Sequence, residues 1–314
     1  PGTVLILDAG AEYRGSFILR AKPQDSRWIV LISSQIGLLP DEEERIQPLM
    51  PTGNPMFPNQ KSAMPRIIST HSGGTPAIRT EIRARRYWLS GLEITVDTLV
   101  RQSFGLVNFG DASSTQNSLD KVPEGLCLDR CYLHGHNKGD IMKYGVRLDC
   151  ANGLILGCHF SEFYSNGFDA QAISGINGPG PFMILNNHLE GAAENILFGG
   201  GTPVIAGLVP SDIVVKYNHL IKPYSWRMGH RDYAGIHWTI KNLFELKTGR
   251  RVLLEGNILE QCWADLPIGQ SGYAILLTVR TENVTSAQAD VSDITIRKNI
   301  IRNTGAGISI SGSD

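Results

Sequence analysis

The 314-residue chain lacks long hydrophobic runs, and it lacks an excess of charge of either sign. No apolar run approaches the roughly 18 residues of a membrane span, so we expect no membrane insertion. The 29 basic and 30 acidic residues give a formal net charge of -1. That balance argues against a general nucleic-acid binder, because such proteins carry a basic excess.

The sequence also lacks cysteine pairs at metal-ligand spacing, and it lacks the apolar periodicity of amphipathic helices. The five cysteines are an odd number without paired metal spacing, which favours buried apolar roles over a zinc site. We find no helix-length amphipathic stretch with capping residues between the apolar segments. There is neither a Gly-x-Ser-x-Gly elbow nor a Cys-His pairing, so the common nucleophile motifs are excluded.

Turn-forming residues are abundant instead, with 34 glycines and 16 prolines in a chain that is 42% hydrophobic. Short strands are predicted over 3–7, 16–19 and 28–32. The segment 36–65 is rich in Pro and Met and contains the acidic run Asp41–Glu44. We interpret it as a solvated excursion that is either functional or a covering flap.

From residue 77 onward one pattern recurs. An apolar residue is followed three places later by Asn or Cys, and two places after that by a large apolar residue. The intervals between the Asn or Cys positions are 27, 29, 31, 39 and 42 residues. Units this short cannot bury a face alone and must stack on one another. Stacking would align the asparagine side chains into an inward ladder, whose members are Asn187, Asn218, Asn257 and Asn299.

Each unit also contains a second short strand. These strands are predicted over 146–148, 168–170, 196–198, 244–246, 275–279 and 308–310. The fold class that this pattern predicts is all-β, a right-handed parallel β-helix with long loop insertions. We expect a single domain over 1–314, with capping strands and a loop in 1–76 and repeating coils in 77–314.

If the second strands form one parallel sheet, their outward residues stack into columns about 4.8 Å apart. The predicted outward pairs are Arg147/Asp149, Asp169/Gln171, Asn195/Leu197, Glu245/Lys247, Thr278/Arg280 and Ser309/Ser311. Insertions at 199–212, 221–241 and 281–292 adjoin this face. They would wall a groove suited to an extended polymer.

The 221–241 insertion is rich in aromatic and basic residues, which suits contact with an acidic glycan. Aromatic faces stack on sugar rings, and Arg or Lys pairs with carboxylate or sulfate groups. The alternative is a packed capping loop whose aromatic side chains are buried. The predicted substrate-binding residues are Lys222, Trp226, His230, Tyr233, His237 and Trp238, together with Arg147 and Asp169 on the strands.

The column of charged residues suits β-elimination on a uronate polymer. That reaction needs positive charge at the C6 carboxylate and a base for the C5 proton. Lys247 is the predicted base, and Arg280 would clamp the carboxylate or assist the leaving group. The possible cofactor is Ca²⁺, for which Asn195 and Glu245 offer hard oxygen ligands. Further oxygen ligands nearby are Glu194 and Asp169.

Two other functions are open on the same residues. Glycoside hydrolysis needs two carboxyl groups on one face, and Asp149, Asp169 and Glu245 are the candidates. A non-catalytic glycan-binding or cell-surface structural module would need no such pair. In that case Glu245 and Lys247 would be an ordinary exposed ion pair, contributing at most about 1 kcal/mol to stability.

The coil pattern resembles that of pectate-lyase-like β-helix proteins. The stretches 219–226, 238–247 and 274–280 resemble secreted bacterial proteins with right-handed parallel β-helix repeats. The resemblance implies a polysaccharide partner and a secreted, periplasmic or cell-surface location. It does not select an activity, because lyases, hydrolases, epimerases and binding proteins share this fold.

The order of Asn195, then Glu245 and Lys247, then Arg280 on successive coils resembles polysaccharide lyase family six, the alginate and chondroitin-type lyases. The resemblance implies a lyase with a lysine base. The sequence departs from that family's Lys-Ser and Arg-His pairs, because a threonine follows both Lys247 and Arg280. It also has a shorter gap between the acidic ligand and the lysine.

Overall fold

The computed structural model describes residues 2–22, 27–41, 44–48, 60–137, 139–266, 269–281 and 289–312. They form three parallel sheets of nine strands, and each strand pairs with its equivalents in the preceding and following coils. This is a parallel β-helix, which confirms the predicted fold. No helix in the described ranges has the length and apolar character needed to cross a membrane.

Each coil contributes one strand to each sheet in turn. Sheet 1 contains Thr3–Leu7, Ile29–Ser33, Arg85–Ser90, Glu124–Asp129, Ala151–Leu156, Phe182–Leu185, Ser211–Lys216, Gly249–Glu255 and Val291–Arg297. Sheet 2 contains Glu12–Arg14, Arg66–Ser69, Glu93–Val96, Tyr132–His134, His159–Ser161, His188–Glu190, His219–Ile221, Ile258–Cys262 and Ile300–Thr304. Sheet 3 contains Phe17–Leu19, Ile78–Thr80, Val107–Gly110, Tyr144–Asp149, Gln171–Gly175, Glu194–Phe198, Phe244–Leu246, Tyr273–Thr278 and Ala306–Ser311.

The remaining regular elements are short. A two-stranded pair joins Gln102–Ser103 to Ile141–Met142, and the 3₁₀ turns are Ile36–Leu38, Gln60–Ala63, Leu119–Lys121 and Tyr224–Trp226. The long insertions leave the coils at two edges of sheet 3. Residues 222–243 precede its strand Phe244–Leu246, whereas 199–210 and 279–290 follow its strands toward sheet 1.

The predicted ladder lies at the corner between sheets 1 and 2. The backbone N–H of Asn187 donates to Asn218 Oδ1 (2.8 Å), that of Asn218 to Asn257 Oδ1 (2.9 Å), and that of Asn257 to Asn299 Oδ1 (2.9 Å). The N–H of Cys158 donates to Asn187 Oδ1 in the same way. Each asparagine oxygen thus accepts a hydrogen bond from the backbone of the preceding coil, in the ladder that the sequence predicted.

The corner itself needs a left-handed residue directly before each ladder position. Glycine adopts that conformation without strain, whereas other residues cost roughly 1–2 kcal/mol there. Because every coil turns at the same place, the ladder side chains all point inward. The residues with positive φ at this corner are Gly91, Arg130, Gly157, Asn186, Tyr217, Gly256 and Lys298.

Residues 36–41 and 44–48 lie over sheet 2, so they pack as the covering flap of the two interpretations. Ile46 is fully buried and clusters with Leu39 and Met64 against Tyr132 on the sheet. The backbone N–H of Ile46 donates to the carbonyl of Gly157 (3.0 Å). Parts of the predicted excursion, 42–43 and 49–59, lie outside the described residues.

One predicted strand is displaced. The sequence pattern placed a strand over 168–170, but the sheet 3 strand is Gln171–Gly175. Phe168 and Asp169 lie in the turn before it. The predicted outward pairing of Asp169 with Gln171 is therefore wrong, because Asp169 is not on the strand.

Replacing one ladder asparagine should destabilise the coil stack. Asn257→Ala removes the acceptor for the backbone and side-chain N–H groups of Asn218. A buried donor left unpaired costs about 1–3 kcal/mol, so we expect a loss of unfolding free energy of at least about 2 kcal/mol in denaturant titrations. Asn166→Ala, at an exposed turn, is the control and should change stability little. Equal stability of the two variants would contradict this role of the ladder.

Candidate functional site

A cleft of about 350 Å³ opens on sheet 3. Residues from both edges of the sheet and from successive coils line it: Asp169, Gly200, Lys247, Arg280 and Thr281. The backbone N–H of Arg280 donates to the carbonyl of Lys247 (3.1 Å), which holds these two cationic residues side by side. The structure thus brings together Lys247, Arg280 and Asp169, three residues that the sequence singled out.

A second cleft of about 660 Å³ lies on the same sheet toward the N-terminal coils. Arg147, Lys143 and Tyr144 line it, and both cations lie about 5 Å from the centre of the Tyr144 ring. Phe168 lines this cleft, whereas its neighbour Asp169 lines the first. Because these two neighbouring residues line different clefts, the clefts lie beside each other on sheet 3, and we call the two together the sheet 3 groove.

Two ion pairs involve residues that line the first cleft, Lys247 and Asp169. Lys247 Nζ lies 3.5 Å from Glu245 Oε1, and Lys241 Nζ lies 2.5 Å from Asp169 Oδ1. Asn242 Nδ2 donates to the other oxygen of Glu245 (2.9 Å). Glu245 is almost completely buried, so the interpretation of Glu245 and Lys247 as an ordinary exposed pair is wrong.

A third carboxyl group, Glu194, lies beneath these pairs. It has no exposed surface; its Oε2 accepts a hydrogen bond from Gln171 Nε2, and its Oε1 has no hydrogen-bond partner. Burial, with the neighbouring charges of Asp169 and Glu245, raises the pKa of Glu194 to about 8. Glu194 is therefore protonated at neutral pH.

The carboxyl groups of this cluster also change the pKa of Lys241. Burial disfavours its charge, but the hydrogen bond to Asp169 and the acidic groups around Lys241 outweigh burial and raise the pKa of this lysine. The lysine therefore remains cationic and balances the carboxylates around it. Sequence reasoning missed Lys241 and Asn242 as members of this site. A basic residue and an amide just before a sheet 3 strand that carries an acid were the available signal.

The predicted position of Asn195 is wrong. The side chain is fully buried and points into the coil, where its Nδ2 donates to the carbonyls of Leu189 (2.6 Å) and Ile221 (2.8 Å). It therefore satisfies backbone oxygens between two coils and does not face the groove. The neighbouring Glu194 is the residue that joins the carboxylate cluster.

Lys222 is also inside the protein and cannot contact a substrate in the groove. Its Nζ donates to the carbonyls of Gly191 (2.6 Å), Asn242 (2.9 Å) and Ala193 (3.2 Å), and to Asn195 Oδ1 (3.3 Å). Burial lowers the pKa of Lys222 to about 8, whereas this cage of oxygens favours the ammonium form. Lys222 anchors the start of the insertion to the coils.

The aromatic insertion is partly a packed loop. Trp226 and Trp238 are buried, and both pack on the ring of Tyr164. Trp226 meets that ring edge-on, whereas Trp238 stacks on it with the ring centroids 3.9 Å apart. The prediction that these two tryptophans contact substrate is therefore wrong in this structure. The other predicted residues of the insertion keep some exposure: His230 stacks on Tyr224, His237 Nε2 lies 2.6 Å from Asp265 Oδ1, and Tyr233 is half-buried.

Asp149 does not serve as a candidate acid. It is fully buried, and its Oδ1 accepts hydrogen bonds from the backbone N–H groups of Ile176 (2.8 Å) and Asn177 (2.7 Å). Arg147 donates to its other oxygen. The carboxylate therefore fixes a turn, and it holds Arg147 on the wall of the second cleft.

The residues predicted to bind Ca²⁺ do not fit a site for that ion. Asn195 points away from Glu245, as described above. Among the described residues, Asp169, Glu194 and Glu245 do not bring one ligand atom each within 4.8 Å of the others. Ca²⁺ takes six to eight oxygen ligands, and these residues do not supply a coordination shell of that size.

Removing the Glu194 carboxyl should change how stability depends on pH. Because its folded pKa lies above the ordinary value of 4.5, the folded state binds the proton more tightly. Stability is then fully present below about pH 4.5 and is lost as pH rises toward about 8. Glu194→Gln should lack this decline and melt several degrees above the parent protein at about pH 9 in thermal unfolding scans.

Glu124→Gln is the control for that experiment, since Glu124 is a half-exposed carboxylate on sheet 1. Its melting temperature should follow the parent protein across the pH series. If the parent and the Glu194→Gln protein show parallel profiles, the buried carboxyl does not carry the proton assigned to it.

No protein-family model matches this chain, and no curated protein matches it. The solved structures similar to it include an alginate lyase from Paenibacillus sp. str. FPU-7. That match has 13% identity and a TM-score of 0.43, and it covers 100% of this chain and 93% of that one. The family 28 exopolygalacturonase of Yersinia enterocolitica matches with 10% identity and a TM-score of 0.30, covering 99% of this chain and 73% of that one. At these values the likenesses transfer no residue roles to this chain.

Proposed function

We propose that the sheet 3 groove binds an acidic, uronate-containing polysaccharide and cleaves it by β-elimination. The observation that carries the proposal is one cleft in which two cations, Lys247 and Arg280, stand before buried carboxyl groups. Such a polymer is met outside the cytoplasm, so we expect the protein to act as a secreted, periplasmic or cell-surface enzyme.

The length and charge of the groove support a polymeric, anionic substrate. Arg147 and Arg280 lie on coils separated by four strand spacings of sheet 3, which corresponds to about 19 Å. Guanidinium groups pair with carboxylates through two parallel hydrogen bonds. Tyr144 and Phe168 add aromatic surface in the second cleft, where a sugar ring can stack.

In the proposed reaction Arg280 pairs with the C6 carboxylate, which makes the C5 proton more acidic. Lys247, as the neutral amine, removes that proton, and the electron pair forms the C4–C5 double bond as the C4–O bond breaks. Water in the open groove supplies a proton to the departing oxygen. Glu245, 3.5 Å from Lys247 Nζ, holds the lysine side chain in place in the cleft.

Glu194 has a supporting role in this scheme. Because it is protonated at neutral pH, the cluster carries one negative charge fewer behind Lys247. An additional anion there would favour the ammonium form of the lysine and oppose its action as a base. We therefore assign Glu194 as a positioning residue that acts through Lys247 and Glu245.

Glycoside hydrolysis is the second candidate, favoured by one observation. Asp169 is a carboxylate in the cleft with about a third of its side chain exposed, and Glu194 nearby is a protonated carboxyl. A hydrolase needs one carboxyl in each form. Glu194 has no exposed surface, however, and this places lyase chemistry first.

The assay follows the ultraviolet absorbance of unsaturated sugar ends during incubation with alginate, polygalacturonate, chondroitin sulfate and ulvan, with and without Ca²⁺. We expect absorbance to rise with at least one of them. Lys247→Ala should lower kcat by about 10²–10⁴, the usual contribution of a positioned base. Arg280→Ala should also raise KM, because it removes a contact to the substrate carboxylate.

Lys298→Ala is the matched control, since this exposed lysine lies outside the groove and pairs with Glu255. It should leave kcat unchanged. Release of reducing ends without absorbance would replace the lyase by the hydrolase. Binding without turnover would favour the non-catalytic module, and full activity of Lys247→Ala would overturn the assignment of the base.

A further inference from the structure

Sheet 2 carries a column of histidines on the side of the β-helix away from its core. His159, His188 and His219 occupy the same position on three successive strands, directly after the ladder residues. The rings of His159 and His188 stack with their centroids 4.2 Å apart, and His188 meets His219 edge-on at 5.2 Å. The ladder fixes this alignment, because it sets the register of every strand that follows it.

One nitrogen in this column lacks a partner. His159 is 8% exposed, yet its Nε2 makes no hydrogen bond. Imidazole binds metals in its neutral form, through a ring nitrogen that carries no proton. A buried polar atom without a partner is costly and calls for an explanation.

Two further residues with ligand atoms lie beside His159. One atom each of His159, His188 and Glu190 lies within 4.8 Å of the other two. At present His188 Nε2 and Glu190 Oε1 are 3.0 Å apart and share a hydrogen bond. Zinc–nitrogen and zinc–oxygen bonds of about 2.0–2.2 Å place the ligand atoms of a tetrahedral site roughly 3.3 Å apart. Binding therefore requires these atoms to move closer together and the stacked rings of His159 and His188 to turn toward the ion.

The histidines face a cleft of about 460 Å³ that is closed on one side by Arg45 and Gln47 of the flap. The charge of Arg45 would oppose a cation. Its guanidinium is directed at the backbone, however, where it donates to the carbonyls of Asn187 (3.1 Å) and Tyr217 (2.8 Å). The Glu190 carboxylate supplies the compensating negative charge.

We propose that His159, His188 and Glu190 bind a divalent transition-metal ion, of which Zn²⁺ is the type. Two imidazoles and one carboxylate form a donor set that suits zinc and its neighbours. Calcium and magnesium prefer oxygen ligands throughout and should not bind here. The site lies on sheet 2, so it is separate from the sheet 3 groove and independent of the function proposed for that groove.

The test is titration calorimetry of the full chain with Zn²⁺, and with Ca²⁺ as the comparison ion, alongside thermal unfolding. We expect one Zn²⁺ per chain, no heat from Ca²⁺, and a higher melting temperature with Zn²⁺, because a ligand of the folded state stabilises it. His159→Phe keeps an aromatic ring for the stack but removes the nitrogen. It should weaken Zn²⁺ binding by at least about tenfold.

Glu190→Gln provides a second variant, since the amide preserves shape and removes the charge; it should also weaken binding by at least about tenfold. His71→Gln, an exposed histidine outside the column, should bind Zn²⁺ like the parent. No uptake of Zn²⁺ by the parent protein would overturn the proposal. So would equal affinity of the parent, His159→Phe and Glu190→Gln, which would assign the binding to other surface groups.

Discussion

The structure depends on the hydrogen bonds that link the ladder asparagines from one coil to the next. Each side-chain oxygen accepts from the backbone of the preceding coil, and each ladder residue follows a left-handed corner. A slip of one residue in a strand would move its side chains to the opposite face. The ladder opposes such a slip because it would leave buried amides unpaired. Residues that are 30 to 40 positions apart in sequence therefore become neighbours on adjacent strands.

Both candidate sites are consequences of that fixed register. On sheet 2 it aligns three histidines in one column and leaves one of their nitrogens without a hydrogen-bond partner. On sheet 3 the strands supply Glu194 and Glu245, whereas the turns and insertions beside them supply Asp169, Lys241 and Gly200. Lysine side chains balance two of the three carboxyl groups, and the third, Glu194, keeps its proton. The scaffold thus holds charge in positions that an isolated strand could not support.

The repeat was readable from the sequence, and the details of the groove were not. The spacing of Asn187, Asn218 and Asn257 predicted the ladder because a buried amide needs a partner at a constant place in every coil. Strand alternation then misplaced Asn195, since it sits where the chain enters the strand and its side chain turns inward. The contacts of side chains in the insertions could not be predicted from the sequence pattern, for a different reason. Nothing in the sequence distinguishes a tryptophan that packs on Tyr164 from one that would stack on a sugar.

A crystal structure of the Lys247→Ala protein with an acidic oligosaccharide bound tests the account's central claim most directly. The account predicts a sugar chain along the sheet 3 groove, with a uronate carboxylate paired to Arg280 and a ring near Gly200, where no side chain intervenes. Density for the oligosaccharide on sheet 1 or sheet 2, with the groove empty, would contradict it.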